Sequence, residues 1–132
     1  MKVFLDTNVL ASAVATRGLC ADVFREVIHN EELISSEYVL DELQKVLTVK
    51  FKLPLHITAE AIALIKIDSV IACPITGIEC LIEDENDIPI LSAAVTGKAD
   101  VFITGDKLLL GLKKIGSMEI LSPREFWRKL KE

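Results

Sequence analysis

The sequence predicts an α/β domain in which a mostly parallel sheet is flanked by helices. Two observations carry this prediction. Short apolar strand patterns alternate with amphipathic helical patterns along the chain, the order that parallel strands with helical crossovers require. The segment Val101–Thr104 is also apolar almost without interruption, as expected of a strand covered on both faces.

Taken in order, Lys2–Asp6 reads as a buried strand that delivers a carboxylate at its C-terminal end, followed by the turn-friendly Thr7 and Asn8. A helix is predicted from about Leu19 to His29, with Val23, Val27 and Ile28 inward. Leu33–Ser35 is a short strand. Ser36–Lys50 follows as a helix, because Val39, Leu40, Leu43, Val46 and Leu47 keep the i, i+3, i+4, i+7 spacing. Pro54 breaks it, and Thr58 is placed to cap another helix through about Ser69. Ile71–Ile75 is an edge strand or the end of one, since Pro74 cannot donate to a ladder.

The acidic run Glu83–Asp87 then precedes a helix through about Val95 that ends near Gly97, with Asn86 as its N-cap and Pro89 at N3. After the Val101–Thr104 strand come a short helix over Lys107–Lys114 and a strand over Glu119–Leu121. Ser122-Pro123-Arg124-Glu125 opens the last helix, with Ser at the N-cap, Pro at N1 and Glu at N3, a capping box.

Composition narrows the function classes. The 132 residues suit one domain over 1–132 with a self-sufficient core. An apolar share of 51% excludes a disordered chain. No apolar stretch reaches the ~18 residues needed to span a bilayer, and a signal-peptide pattern is missing, so no membrane association and a cytoplasmic location are expected. Cys20, Cys73 and Cys80 show no CxxC spacing, and only His29 and His56 could assist them, which disfavours zinc. The net charge of −5 is the wrong sign for a generic nucleic-acid binder, although carboxylates clustered around a cation produce that sign locally.

Four acidic residues stand where such a cluster could form. Asp6 ends the first strand, and ligands of open α/β sheets bind outside the carboxyl ends of strands. Asp106 follows the strand-end phrase Val101-Phe102-Ile103-Thr104-Gly105, where it could equally cap the next helix. On the Ser36–Lys50 helix Glu42 lies about 100° from the centre of the apolar stripe, on its border, whereas Asp41 falls nearly opposite. Asp84, Asp87 and Leu91 share one helical face, with Asp87 within about 40° of Leu91 on the core side. Packed carboxylates repel and partly protonate unless a cation sits among them. Oxygen ligands without His or Cys select Mg²⁺ or Mn²⁺.

These phrases resemble the PIN-domain nucleases, and within them the VapC-like toxin components of toxin–antitoxin systems. The resemblance is carried by Phe4-Leu5-Asp6-Thr7-Asn8-Val9-Leu10, by Ser36 with Leu40-Asp41-Glu42-Leu43, and by Asp84 with Asp87-Ile88-Pro89-Ile90-Leu91-Ser92-Ala93-Ala94. It continues through Ala99-Asp100, Thr104-Gly105-Asp106-Lys107 and Ile120-Leu121-Ser122-Pro123-Arg124-Glu125-Phe126, and so covers essentially the whole chain in order.

The resemblance implies a three-layer α/β/α sandwich with a central mostly parallel sheet, and Mg²⁺- or Mn²⁺-dependent hydrolysis of RNA phosphodiesters that leaves a 5′-phosphate. It also implies a cognate antitoxin protein and a homodimer. Asp6, Glu42, Asp87 and Asp106 match the family's acidic residues, with Asp6, Asp87 and Asp106 as metal ligands. Asn8 and Thr104 match the polar residues that brace them. Lys107, with Arg17, Lys113 and Lys114, is a candidate RNA contact, and Lys50 and Lys52 stand in for a basic residue that many relatives carry after the Glu42 helix. A phosphohydrolase of the haloacid-dehalogenase type is the rival enzyme, but it wants a second Asp where this chain has Asn8. A catalytically silent binding module is the rival from another class.

Overall fold

The structure is a computed structural model that describes residues 1–72 and 88–131. Six strands form one sheet: β1 (Lys2–Leu5), β2 (Glu32–Ser35), β3 (Ser69–Ile71), β4 (Val101–Ile103), β5 (Lys114–Ile115) and β6 (Met118–Leu121). Seven helices are described: α1 (Thr7–Ala15), α2 (Leu19–Asn30), α3 (Glu37–Lys45), α4 (Leu55–Ile67), α5 (Ile88–Thr96), α6 (Lys107–Leu110) and α7 (Pro123–Leu130).

The strand order is β3-β2-β1-β4-β6-β5, parallel throughout except for the β5–β6 hairpin. The chain therefore builds outward from β1 through β2 to β3, then returns to place β4 on the other side of β1. Topology reverses between β1 and β4, and in such sheets the crevice for a ligand opens at the carboxyl ends of those two strands. Val3, Phe4 and Leu5 of β1 and Val101, Phe102 and Ile103 of β4 are all buried, so both faces of the sheet are covered and the three-layer α/β/α expectation holds. Pairing is in register, Phe4 opposite Phe102, and their rings stack with centroids 5.4 Å apart.

Several local expectations are corrected. Thr7 and Asn8 are not a turn: they begin α1, which Asp6 caps by accepting from the Thr7 N–H. The helix has little polar contrast, so periodicity did not mark it, yet its Leu and Ala residues are strong helix formers. The predicted helix from Ser36 divides into α3, capped by Ser36, and a π-helical turn over Val46–Lys50, in which the Phe51 N–H reaches the Val46 carbonyl at 3.2 Å. Thr58 caps nothing. Pro54, with φ already near −59°, sets the start of α4, and Thr58 is buried within it.

The predicted Lys107–Lys114 helix stops at Leu110, because Gly116 (φ +59°) and Ser117 close a two-residue hairpin that takes Lys114 and Ile115 into β5. The edge strand β3 begins at Ser69, two residues before the predicted start, and shares only Ile71 with the predicted Ile71–Ile75 stretch, of which residues 73–75 lie outside the described residues. The capping box at Ser122 and Glu125 is formed as predicted.

Two stability changes follow from this packing. A Cβ on Gly97, at the end of α5, would sit 2.6 Å from Cγ2 of Ile34 and 3.2 Å from Cβ of Ala72. Gly97→Ala should therefore destabilise by about 1–3 kcal/mol, read from the denaturant midpoint at constant slope. The Thr58 hydroxyl is fully buried and has no hydrogen-bond partner among the described residues. Thr58→Val, which keeps the shape and removes the hydroxyl, should stabilise by about 1 kcal/mol in the same measurement.

Candidate metal centre at the strand ends

The site is built from the residues that leave β1 and β4. Parallel register continues past Leu5 opposite Ile103, so Asp6 and Thr104 meet at the same height, and the Asp6 N–H donates to the Ile103 carbonyl at 2.9 Å. Asp6 is a buried carboxylate, with 7% of its surface exposed. Its Oδ1 accepts from the Thr7 N–H at 2.8 Å, and its Oδ2 accepts from the Thr104 hydroxyl at 2.7 Å. Thr104 is itself fully buried, and its Oγ1 accepts from the Asp106 N–H at 3.0 Å. Asp106 is exposed and caps α6, its Oδ1 accepting from the Leu108 N–H at 2.9 Å. A single threonine hydroxyl thus bridges the side chain of one aspartate to the backbone of the other.

Burial pushes the Asp6 carboxyl above its ordinary range. The Thr104 hydroxyl and the Thr7 N–H pull it back, and the negative charge of Asp106 pushes it up again. That last influence places the two carboxylates within electrostatic reach of each other. Both donors to Asp6 are neutral, so its charge has no cationic partner among the described contacts. A buried carboxylate beside a second carboxylate, with oxygen donors only, fits a hard divalent cation such as Mg²⁺ or Mn²⁺. Asp6 and Asp106 alone do not complete a site: among the described residues no three Asp, Glu, His or Cys side chains converge to hold a metal.

The remaining expected residues fall as follows. Glu42 lies a turn and a half into α3, half-buried with its Oε1 shielded from solvent, as a border residue should be. Asp84 and Asp87 lie outside the described residues, as does the Asn86 cap. Asn8 is exposed on the first turn of α1 and makes no side-chain hydrogen bond among the described residues, while the Thr104 hydroxyl and the Thr7 N–H brace Asp6.

Lys107 is exposed next to Asp106, at the site. Arg17 follows the far end of α1, about 13 Å along the helix from Asp6. Lys50 stands about 12 Å beyond Glu42 along its helix and lies over the Phe51 ring. Periodicity did not single out two further buried hydroxyls near the strand ends, Thr7 and Ser35. The polar pair Ser35-Ser36 after an apolar strand was the available signal.

The topological switch, the strand-end aspartates and the threonine brace together define a class, a parallel α/β protein with an acidic site at the carboxyl edge of its sheet. A family model described as "PIN domain" matches residues 2–108, and the chain belongs to that family. The haloacid-dehalogenase alternative falls with this membership. No curated protein matches the chain in sequence.

Among solved structures, a chain of VapBC2 from Rickettsia felis, solved bound to a DNA fragment from their promoter, is similar at a TM-score of 0.64 and 19% identity. That likeness covers 92% of this chain and 98% of the other. A chain of VapBC-1 from nontypeable Haemophilus influenzae is similar at a TM-score of 0.64 and 20% identity, covering 94% and 99%. At that identity the likeness is one of fold.

The raised carboxyl of Asp6 has a consequence for the metal-free protein. A folded pKa above the unfolded one means that the ionised carboxylate opposes folding at neutral pH. The penalty disappears as pH falls through the folded pKa to below the unfolded value. Asp6→Asn should accordingly raise the melting temperature in chelator at pH 7, and the advantage should shrink as the pH is lowered. Thermal scans at a series of pH values check this, and an Asn variant less stable at pH 7 would contradict it.

Proposed function

We propose that the chain is a metal-dependent endoribonuclease, the toxin half of a toxin–antitoxin pair, acting on cytoplasmic RNA. The observation that supports it most is the buried, raised Asp6 carboxylate braced through Thr104 to Asp106 at the switch point of a PIN-domain sheet. Likeness to chains of VapBC2 and VapBC-1 supports the antitoxin partner.

Asp6 and Asp106 would hold Mg²⁺ or Mn²⁺, with Asp87 as the third ligand or the group that orients the attacking water, and Glu42 farther out. A divalent cation bound there supplies an activated water and neutralises charge developing on a phosphodiester. The chain's own residues do the positioning. Thr104 and the Thr7 N–H fix both oxygens of Asp6, so its orientation need not be established anew for each substrate. Thr104 also ties the Asp106 backbone to the same frame. Lys107 is a cation beside the site that can meet a phosphate oxygen.

Asp6→Asn and Asp106→Asn should each lower Mn²⁺-dependent cleavage of RNA by roughly 10³-fold or more while leaving the circular dichroism spectrum unchanged. Thr104→Val should weaken Mn²⁺ binding about 10- to 100-fold, since it frees a ligand from its brace. Calorimetric titration with Mn²⁺ reads the second effect directly, and a wild-type protein that binds neither Mn²⁺ nor Mg²⁺ would end the proposal. Growth arrest on expression, relieved by Asp6→Asn and by co-expression of a partner protein, separates a toxin from a housekeeping nuclease.

A further inference from the structure

α7 gathers positive charge on an acidic chain. Residues 124–131 hold four of the 15 Lys and Arg side chains and one of the 20 Asp and Glu. Phe126 is fully buried and fixes the inner face of the helix. With successive residues 100° apart, Arg124, Arg128 and Lys131 fall within about 60° of one another on the opposite side, and Trp127 lies on their border. All three cations are exposed, and none forms an ion pair among the described residues. Their charged neighbours are engaged elsewhere: Glu125 closes the capping box and Lys129 meets Glu119 of β6. The helix dipole accounts for cations in the last turn but not for Arg124, which stands in the first turn, where positive charge is disfavoured. Arg124 and Arg128, one turn apart, also repel each other. A polyanion laid along the stripe would relieve both.

Trp127, the chain's single tryptophan, is half-buried between α7 and α2. Two shallow clefts share it as a wall, one of about 340 Å³ with Arg25, His29 and Asn30 of α2, the other of about 160 Å³ with Lys131. The carboxylates of the larger cleft are answered inside it, Asp22 by Arg25 and Glu26 by Asn30. The Lys131 ammonium lies over the Trp127 ring, 5.1 Å from its centroid. An exposed cation–π contact is weaker than the stacking of a base on an aromatic ring. An unpaired base can therefore displace that ammonium and leave it beside the adjoining phosphate.

We infer that α7 holds single-stranded RNA outside the strand-end site, with Arg124, Arg128 and Lys131 along its phosphates and Trp127 against one unpaired base. Cations that follow a backbone, beside an aromatic ring that takes a base, are the combination a single strand needs. A duplex keeps its bases stacked inside and offers the ring nothing, and an acidic peptide would leave Trp127 without a role. The stripe is continuous with the strand ends. Leu121, the last residue of β6, accepts from the Thr104 N–H at 3.0 Å, and α7 starts two residues later. From Ser122 the helix carries Arg124 about 3 Å, Trp127 about 7 Å and Lys131 about 13 Å along its axis. The inference rests on RNA as the substrate of the proposed function, but its binding test needs neither metal nor cleavage.

Emission of Trp127 in chelator reads the contact directly, because no other tryptophan contributes. A single-stranded RNA of about 12 nucleotides should quench it in the wild type and in Asp6→Asn alike, and the same RNA annealed to its complement should not. By anisotropy of the labelled RNA, the double variant Arg124→Ala/Arg128→Ala should bind at least about tenfold more weakly. Its slope of log affinity against log salt should fall by about 1.4, the share of two phosphates on a single strand. Trp127→Leu should weaken binding about 5- to 100-fold, whereas Trp127→Phe, which keeps a ring, should retain most of it. No quenching by the single strand, equal quenching by the duplex, or an unchanged salt slope in the double arginine variant would each overturn the inference. Equal quenching by polyglutamate would also overturn it and make the stripe a surface for an acidic protein segment. Quenching by RNA that the wild type never cleaves with Mn²⁺ would sink the nuclease reading and support the α7 site alone.

Discussion

The carboxylate of Asp6 is the constraint around which the strand ends are organised. It is buried, its two partners are neutral, and a second carboxylate stands within electrostatic reach. An ionised group in that position opposes folding, so the surrounding structure must hold it there. The holding is done by β1 and β4, whose buried residues pair in register from Val3 opposite Val101 to Leu5 opposite Ile103. A slip of one residue along either strand would turn every side chain to the other face. It would also part Asp6 from Thr104. The stacked Phe4 and Phe102 rings lie within the same pairing, so the core contacts that stabilise the sheet also set the height at which the two strand ends meet.

The same aspartates serve two purposes without conflict, because their oxygens are divided. Asp6 uses Oδ1 to cap α1 and Oδ2 to meet Thr104. Asp106 uses Oδ1 to cap α6. Capping and charge placement reinforce each other, since the N-terminus of a helix favours a nearby negative charge. An Asp after a strand can therefore be a cap and a ligand at once. This is why neither reading excludes the other when only the residue type and its position are known.

What was legible in the sequence follows the same division. Val101–Thr104 and the Lys2–Asp6 strand were readable because burial on both faces leaves an unbroken apolar run. Asp6 and Asp106 were readable because they end such runs. α1 was not, since the run Val9–Ala15 is apolar or small all round and carries little polar contrast, and the cap that starts the helix is the candidate site residue itself. Strand register, which sets the Thr104 hydroxyl against Asp6, is a property of pairing between segments 98 residues apart and has no local signature, so Thr104 was legible through the family resemblance alone. The extent of the Lys107 helix failed for a simpler reason: a Gly-Ser hairpin outweighed a weakly amphipathic run.

A net charge of −5 gives an RNA no long-range attraction to this chain. On the proposed reading, recognition must then be local. Outside α7 the cationic side chains are dispersed: Arg17 lies beyond the far end of α1, Lys50 is spent on the Phe51 ring, and Lys66 is paired with Glu37. Of the candidate RNA contacts, Lys107 is the one that immediately adjoins a strand-end aspartate. A divalent cation between the aspartates would then do more than chemistry, because it turns a pair of carboxylates that repel a phosphate into a point that can receive one. Metal binding and substrate binding would be a single linked step, and weakening the Thr104 brace would weaken both.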